Sequence, residues 1–176
     1  MRTLRLSLAG TVILTLLGGL GGVILAGDEN APAADRPHQV SGTNLGYRIF
    51  ESGANTREDG RTLQRGYGSY DTIEMDDARL SGTLYHVWNR DYLPYGQVLT
   101  GTVELVNDDG SWVGTMRGYK VGGHDWQMEL TGTGAYEGHA ALLEFRALDG
   151  YRQEVEGFVF PGTLPEYPDP VDVPAE

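Results

Sequence analysis

Residues 99–146 read L-T-G-T-V-E-L-V-N-D-D-G-S-W-V-G-T-M-R-G-Y-K-V-G-G-H-D-W-Q-M-E-L-T-G-T-G-A-Y-E-G-H-A-A-L-L-E-F-R. Apolar and polar residues alternate along most of this stretch. Trp126, Met128 and Leu130 fall on one side, Gln127, Glu129 and Thr131 on the other. Leu99, Val103 and Leu105 share a side in the same way. A period of two is the mark of a strand with one buried face. Asn107-Asp108-Asp109-Gly110 supplies the residues that a tight hairpin turn demands. The stretch predicts an antiparallel meander.

The same pattern extends in both directions. Strands are predicted at about 40–50, 62–75, 80–88, 97–106, 111–121, 126–131, 138–147 and 152–160. In the first, Leu45, Tyr47 and Ile49 are placed on one face. In the third, Leu84, His86 and Trp88 oppose Thr83, Tyr85 and Val87. Segments 51–60 and 89–96 read as loops, and Asp76–Arg79 as a turn. An aliphatic residue followed by Ser or Thr, Gly and Thr recurs at Val40, Leu80, Leu99 and Leu130. The spacing is unequal, so this is no solenoid repeat. It marks strands that share one packing need, a bend or close approach at the glycine. No stretch after the leader keeps a helical period over three turns. Eight short strands, each with one apolar face, need a closed core. The expected fold is all-β, a single antiparallel eight-stranded up-and-down barrel behind an N-terminal hydrophobic leader helix. A two-sheet sandwich is the alternative.

Arg2 and Arg5 precede an uncharged apolar run from Leu6 to Ala26, and Asp28 and Glu29 follow it. That charge order predicts export of everything downstream. Residues 1–27 are read as a signal peptide or a membrane anchor, 28–39 as a polar linker and 40–162 as the barrel. Residues 163–176 are read as a Pro-rich acidic tail that does not pack. If the leader is retained, residues 6–26 are the only membrane contact.

The 176 residues contain no cysteine, so disulfides, thiolate catalysis and thiolate metal sites are excluded. The net charge of −12 repels phosphate backbones, which argues against nucleic acid as a partner. The chain has no G-x-S-x-G, H-E-x-x-H, P-loop or dinucleotide fingerprint. No cofactor and no metal are expected.

Leu130-Thr131-Gly132-Thr133-Gly134-Ala135-Tyr136-Glu137-Gly138-His139-Ala140 resembles a segment of the allene oxide cyclase and dirigent-like barrels. In those proteins a Gly-[Gly/Thr]-[Ser/Thr]-Gly-x-aromatic-x-Gly stretch joins two late strands of an eight-stranded barrel. Gly132, Thr133, Gly134, Tyr136 and Gly138 match that order. The hairpin from Gly101 to Gly114 looks like that of bacterial secreted relatives. The resemblance implies the fold and carries over no catalytic residue, because glycines report backbone geometry. Members of the superfamily include cyclases and proteins that steer radical coupling, so the fold does not choose among activities.

By alternation, His86 shares a face with Leu84 and Trp88, and His139 with Leu143 and Phe145. If those faces point inward, two imidazoles reach the lumen, where they can act as acid, base or ligand. His86 and His139 are the candidates for catalysis, with no role assigned. Tyr47, Tyr85, His86, Trp88, Trp112, Trp126, His139 and Phe145 are the expected lining of a small-molecule pocket. Glu104, Glu129 and Glu144 fall on the outer face, with Arg48, Arg117 and Arg146 available to pair across strands. The leading expectation is an exported, non-catalytic barrel that binds a small, mostly apolar ligand or serves as a surface binding module. A cyclase or isomerase working in the lumen is the first alternative. A structural envelope domain with a solid core is the second.

Overall fold

The computed structural model describes residues 36–120, 126–149 and 151–168. The expected leader helix, the start of the linker and the end of the acidic tail lie outside them. The strands are β1 (His38–Glu51), β2 (Ala54–Glu58), β3 (Arg61–Met75), β4 (Gly82–Leu93) and β5 (Gly96–Val106). They continue with β6 (Gly110–Lys120), β7 (Trp126–Gly134), β8 (His139–Asp149) and β9 (Arg152–Pro161). Every sequential pair from β3 to β9 is antiparallel, and β1 pairs with both β9 and β3. That last pairing closes an eight-stranded barrel of β1 and β3–β9. It answers the need to bury one face of every strand without leaving an open edge. The fold is all-β, as the alternation predicts, and a barrel, not a sandwich.

One further strand, β2, lies outside the barrel. Residues 51–60 read as a loop, yet Ala54–Glu58 pairs with Arg61–Arg65. Asp59 (φ 49°) and Gly60 (φ 77°) make the turn, both left-handed. This is the Asp-Gly hairpin signature. All five residues of β2 are exposed, so no apolar period betrays the strand. Segment 89–96 is likewise mostly strand. Asp91, Tyr92 and Leu93 pair with Val98, Gln97 and Gly96, leaving only Pro94 and Tyr95 to turn. Ladder pairing overrides the polar composition of Asn89-Arg90-Asp91.

The recurring Gly motif does what its sequence predicts. A Cβ built at Gly42, Gly82, Gly101 or Gly132 would overlap the carbonyl oxygen of Glu74, Val106, Val87 or Tyr136 respectively. Each glycine lets a second backbone come in against it.

β1 departs from its simple reading. Leu45 and Ile49 are both more than 40% exposed, while Val40 and Asn44 are buried. The register against β3 slips between Leu45 and Arg48, where Gly46 has φ 90°. A bulge adds one residue and shifts the parity of everything after it. Asn44 and Tyr47, three apart, therefore both turn inward.

One end of the barrel is plugged. Leu80, carried by a 3₁₀ turn (Ala78–Leu80), and Trp112 are fully buried there. Trp112 stacks on Tyr136 with ring centroids 5.3 Å apart and donates from Nε1 to the Arg79 carbonyl at 2.7 Å. Asn107 donates to the carbonyls of Arg79 and Ser81 and accepts from the Tyr136 hydroxyl at 2.6 Å. The hairpin Asn107–Gly110 thus ties the plug to the wall.

A polar latch secures the plug from outside. Asp77 caps the 3₁₀ turn and receives Arg79 (2.7 Å) and His38 Nε2 (2.9 Å). Burial opposes its ionisation, but the bonds from Arg79 and His38 outweigh burial and lower its pKa from 3.8 to about 2. The unfolded chain therefore takes up this proton at higher pH than the folded one. The stabilisation is complete above about pH 4 and fades as pH falls towards 2. Allowing for solvent screening, it is on the order of 1 kcal/mol. Asp77→Asn is expected to lower the urea midpoint at pH 7. The gap to wild type should close by about pH 2. A gap independent of pH would refute the ionic origin.

Candidate functional site

The other end of the barrel is open and aromatic. Tyr67 stacks on Trp88 with centroids 4.8 Å apart, and the Arg90 guanidinium lies 4.4 Å above the Trp88 ring. Tyr47 stacks on Tyr151 at 5.8 Å across the mouth. Trp126 meets Phe145 edge-on at 5.6 Å. Between them lies a half-open cavity of about 160 Å³, lined by Tyr47, Asp71, Arg90, Trp126, Tyr151 and Gln153 among others.

Beneath this cavity sits a buried polar network, an expensive thing to place inside a small barrel. Asn44, Ser69, Asp71, His86 and Gln153 are all buried. Asn44 spends both amide hydrogens, one on Asp71 Oδ2 at 2.7 Å and one on Gln153 Oε1 at 2.8 Å. His86 Nε2 lies 3.4 Å from Asp71 Oδ2. Ser69, the cross-strand partner of His86, lies 3.5 Å from its ring nitrogens and accepts from Trp88 Nε1 at 3.0 Å. The tautomer that satisfies this set puts the proton on Nε2, facing the carboxylate, and leaves Nδ1 to accept from the Ser69 hydroxyl. His86 is further fixed by Trp126, which meets it edge-on at 5.9 Å.

The network anchors one oxygen of Asp71 and leaves the other without a partner. Asp71 Oδ1 is buried with no hydrogen bond, and the same holds for Arg90 Nε and Trp126 Nε1. All three residues line the one cavity. Unmet buried polar atoms also occur on Asn44, Gln64, Gln97 and His139, but these three belong to residues that line one space, and buried polar atoms are nearly always satisfied. Tyr47 is the titrating group whose shift reports this environment. Burial raises its pKa above 10.0, Arg90 opposes the rise and Asp71 adds to it.

The residues singled out from sequence separate into three places. Tyr47, Trp88, Trp126, Phe145 and His86 gather at the open end. Trp112 and His139 belong to the plugged end, where His139 pairs with Pro161 at the start of β8. His86 and His139 thus lie toward opposite ends of the barrel. Tyr85 stands on the outer wall, 42% exposed, against Tyr70 and Phe50. It does not line the lumen, because its parity on β4 is opposite to that of His86. Of the expected cross-strand pairs on the outer face, Arg117–Glu129 forms, while Arg146 and Glu144 take other partners. Arg117 reaches Glu129 at 2.9 Å, Gln127 reaches Glu144 at 2.8 Å, and Arg146 pairs with Glu154. Tyr167, beyond β9, donates to Glu129 at 2.9 Å. A larger groove of about 740 Å³ borders these charged side chains. Arg146 and Glu154 pair within it, and Trp126 lines this groove as well as the cavity at the mouth.

Asp71, Arg90, Asn44 and Gln153 are functional candidates that pattern reading passes over. Asp71 carried a signal: Tyr67, Ser69, Asp71 and Ile73 alternate on one face of β3. Among the described residues, no group of three His, Asp or Glu side chains is gathered as a metal site. No family model matches the chain, and neither a curated protein nor a solved structure matches it.

Proposed function

We propose that this chain is an exported, non-catalytic barrel that holds a small molecule in the cavity at its open end. The observation that carries the reading is the set of three unpartnered polar atoms, on Asp71, Arg90 and Trp126, around one aromatic-walled space. Ligand sites are concave and largely apolar, with a few placed polar groups that fix orientation. The mouth has this make-up. Its volume is close to the roughly 150 Å³ cavity that encloses a benzene ring. The ligand is therefore about one ring in size, apolar over most of its surface and polar where it meets Asp71. Export is supported by the charged and apolar order of residues 2–29. The likeness to the dirigent-like barrels is part of the proposal and rests on the residues quoted for it.

The test is native mass spectrometry of protein purified from the organism that makes it. A noncovalent adduct that is absent after denaturation, and absent from Asp71→Ala, is the expected result. A clean apo mass in repeated preparations, with no adduct regained from a host extract, would overturn the reading in favour of a solid structural domain.

A second reading has its own observation. Asp71 is held at Oδ2 by Asn44, with His86 behind it, while Oδ1 is left without a partner. A carboxylate so oriented is a candidate general base, and the enzyme would be of the isomerase or cyclase class. Asp71→Asn separates the two. Loss of turnover by roughly 10²-fold or more at unchanged ligand affinity would favour the enzyme.

A further inference from the structure

The geometry points to a small zwitterion of the amino-acid type as the occupant of the mouth cavity, its ammonium on Asp71 and its carboxylate on Arg90. The inference rests on the binding role proposed above and names the ligand class.

The cavity is lined by one carboxylate and one guanidinium. Asp71 is only 3% exposed, and its neighbours Asn44 and His86 both address the same oxygen, Oδ2. Neither neighbour reaches Oδ1. A carboxylate oxygen accepts and never donates, so what meets Oδ1 must carry an N–H or O–H. Arg90 presents the opposite need. Its Nη1 donates to the Tyr92 hydroxyl at 3.3 Å and its plane rests on Trp88, but its Nε–H is unmet. Trp126 Nε1–H is a second donor with nothing to receive it. The site therefore asks for one donor and for acceptors beside it.

Charge then selects among ligands that meet the hydrogen-bond pattern. A simple amine would satisfy Asp71 and be repelled by Arg90. A simple carboxylate would satisfy Arg90 and Trp126 and be repelled by Asp71. A neutral alcohol would expel water and leave both charges uncompensated in a drier space, which is costly. Only a molecule with both charges, close together, compensates both. Size sets the rest. A cavity near 160 Å³ leaves room for a short branched chain or a single ring. Tyr47, Tyr151 and Trp126 are placed to cover that apolar part. The chain's own charge of −12 does not help an anionic ligand to approach, and a zwitterion is indifferent to it.

The test is isothermal titration calorimetry of the ligand-stripped protein with a graded panel. Valine, leucine and phenylalanine are the zwitterions. Phenethylamine keeps only the cation, 3-phenylpropionate only the anion, and 3-phenylpropanol neither. At least one zwitterion is expected to bind 10-fold or more tighter than all three truncated probes, as a lost charge-assisted bond dictates. Asp71→Asn should bring the best zwitterion down to the level of 3-phenylpropionate. Arg90→Gln, which leaves the buried network untouched, should bring it down to the level of phenethylamine. Equal binding across the panel, or tightest binding by a truncated probe, overturns the zwitterion and leaves the binding role standing. No heat from any probe up to roughly 10 mM, together with a clean native mass, overturns both.

Discussion

Trp112→Ala is expected to lower the unfolding free energy by about 3–5 kcal/mol. Trp112 is fully buried, and its indole does three things at once. It fills the plugged end, it stacks on Tyr136, and it donates to the Arg79 carbonyl. Truncation leaves a hole the size of an indole, bounded by ladders that cannot close over it. It also takes one donor from the Arg79 carbonyl, although Asn107 still donates there. Trp112→Phe keeps a ring for Tyr136 to stack on and should lose less, about 1–2 kcal/mol. Urea titration followed by far-UV circular dichroism reads both, with the slope unchanged if the barrel stays two-state. The mouth lies at the opposite end, so ligand affinity in the folded fraction should not move. A Trp112→Ala protein as stable as wild type would mean that the plug is not what closes this end.

The barrel is legible in the sequence because closure demands the same thing of every strand. Where a strand buries one face and carries no bulge, the period of two survives intact. Leu84, His86 and Trp88 on β4, and Trp126, Met128 and Leu130 on β7, show it. The four Gly motifs are legible for a similar reason, since only a residue without Cβ tolerates a carbonyl at that distance. The site is less legible because each of its parts breaks a rule of the pattern. Gly46 inserts a bulge, so Asn44 and Tyr47 turn inward together. Asp71 and Ser69 are polar residues at inward positions, on the strand that Gly66 and Gly68 make hardest to read. Arg90 sits in a segment whose composition says loop. His86 could be found by alternation, but its partners could not. Asp71 and Ser69 come to it only through the β3–β4 register, which a bulge between Gln64 and Tyr67 resets. Local sequence and global fold disagree where function is expected to lie.

The buried network gives the second large effect. Asp71→Leu alone is expected to cost about 3–5 kcal/mol, because it strands a hydrogen of Asn44 and the Nε2–H of His86 in a dry interior. Adding His86→Leu should not add a second loss of that size. With both polar partners gone, the two introduced leucine side chains would pack against Trp126 and Leu84, and part of the first loss should be recovered. The double variant should therefore be more stable than the sum of the singles predicts, by about 1 kcal/mol or more in a double-mutant cycle. Ligand binding, read by the native mass, should be absent from all three variants. That pair of results would separate two reasons for keeping a charge inside a barrel. A network retained for the fold would leave the double variant well below wild type, because apolar side chains would not replace its hydrogen bonds across the wall. A network retained for the cavity would show stability returning without binding. The place of Asp71 in the lining of the mouth cavity favours the second.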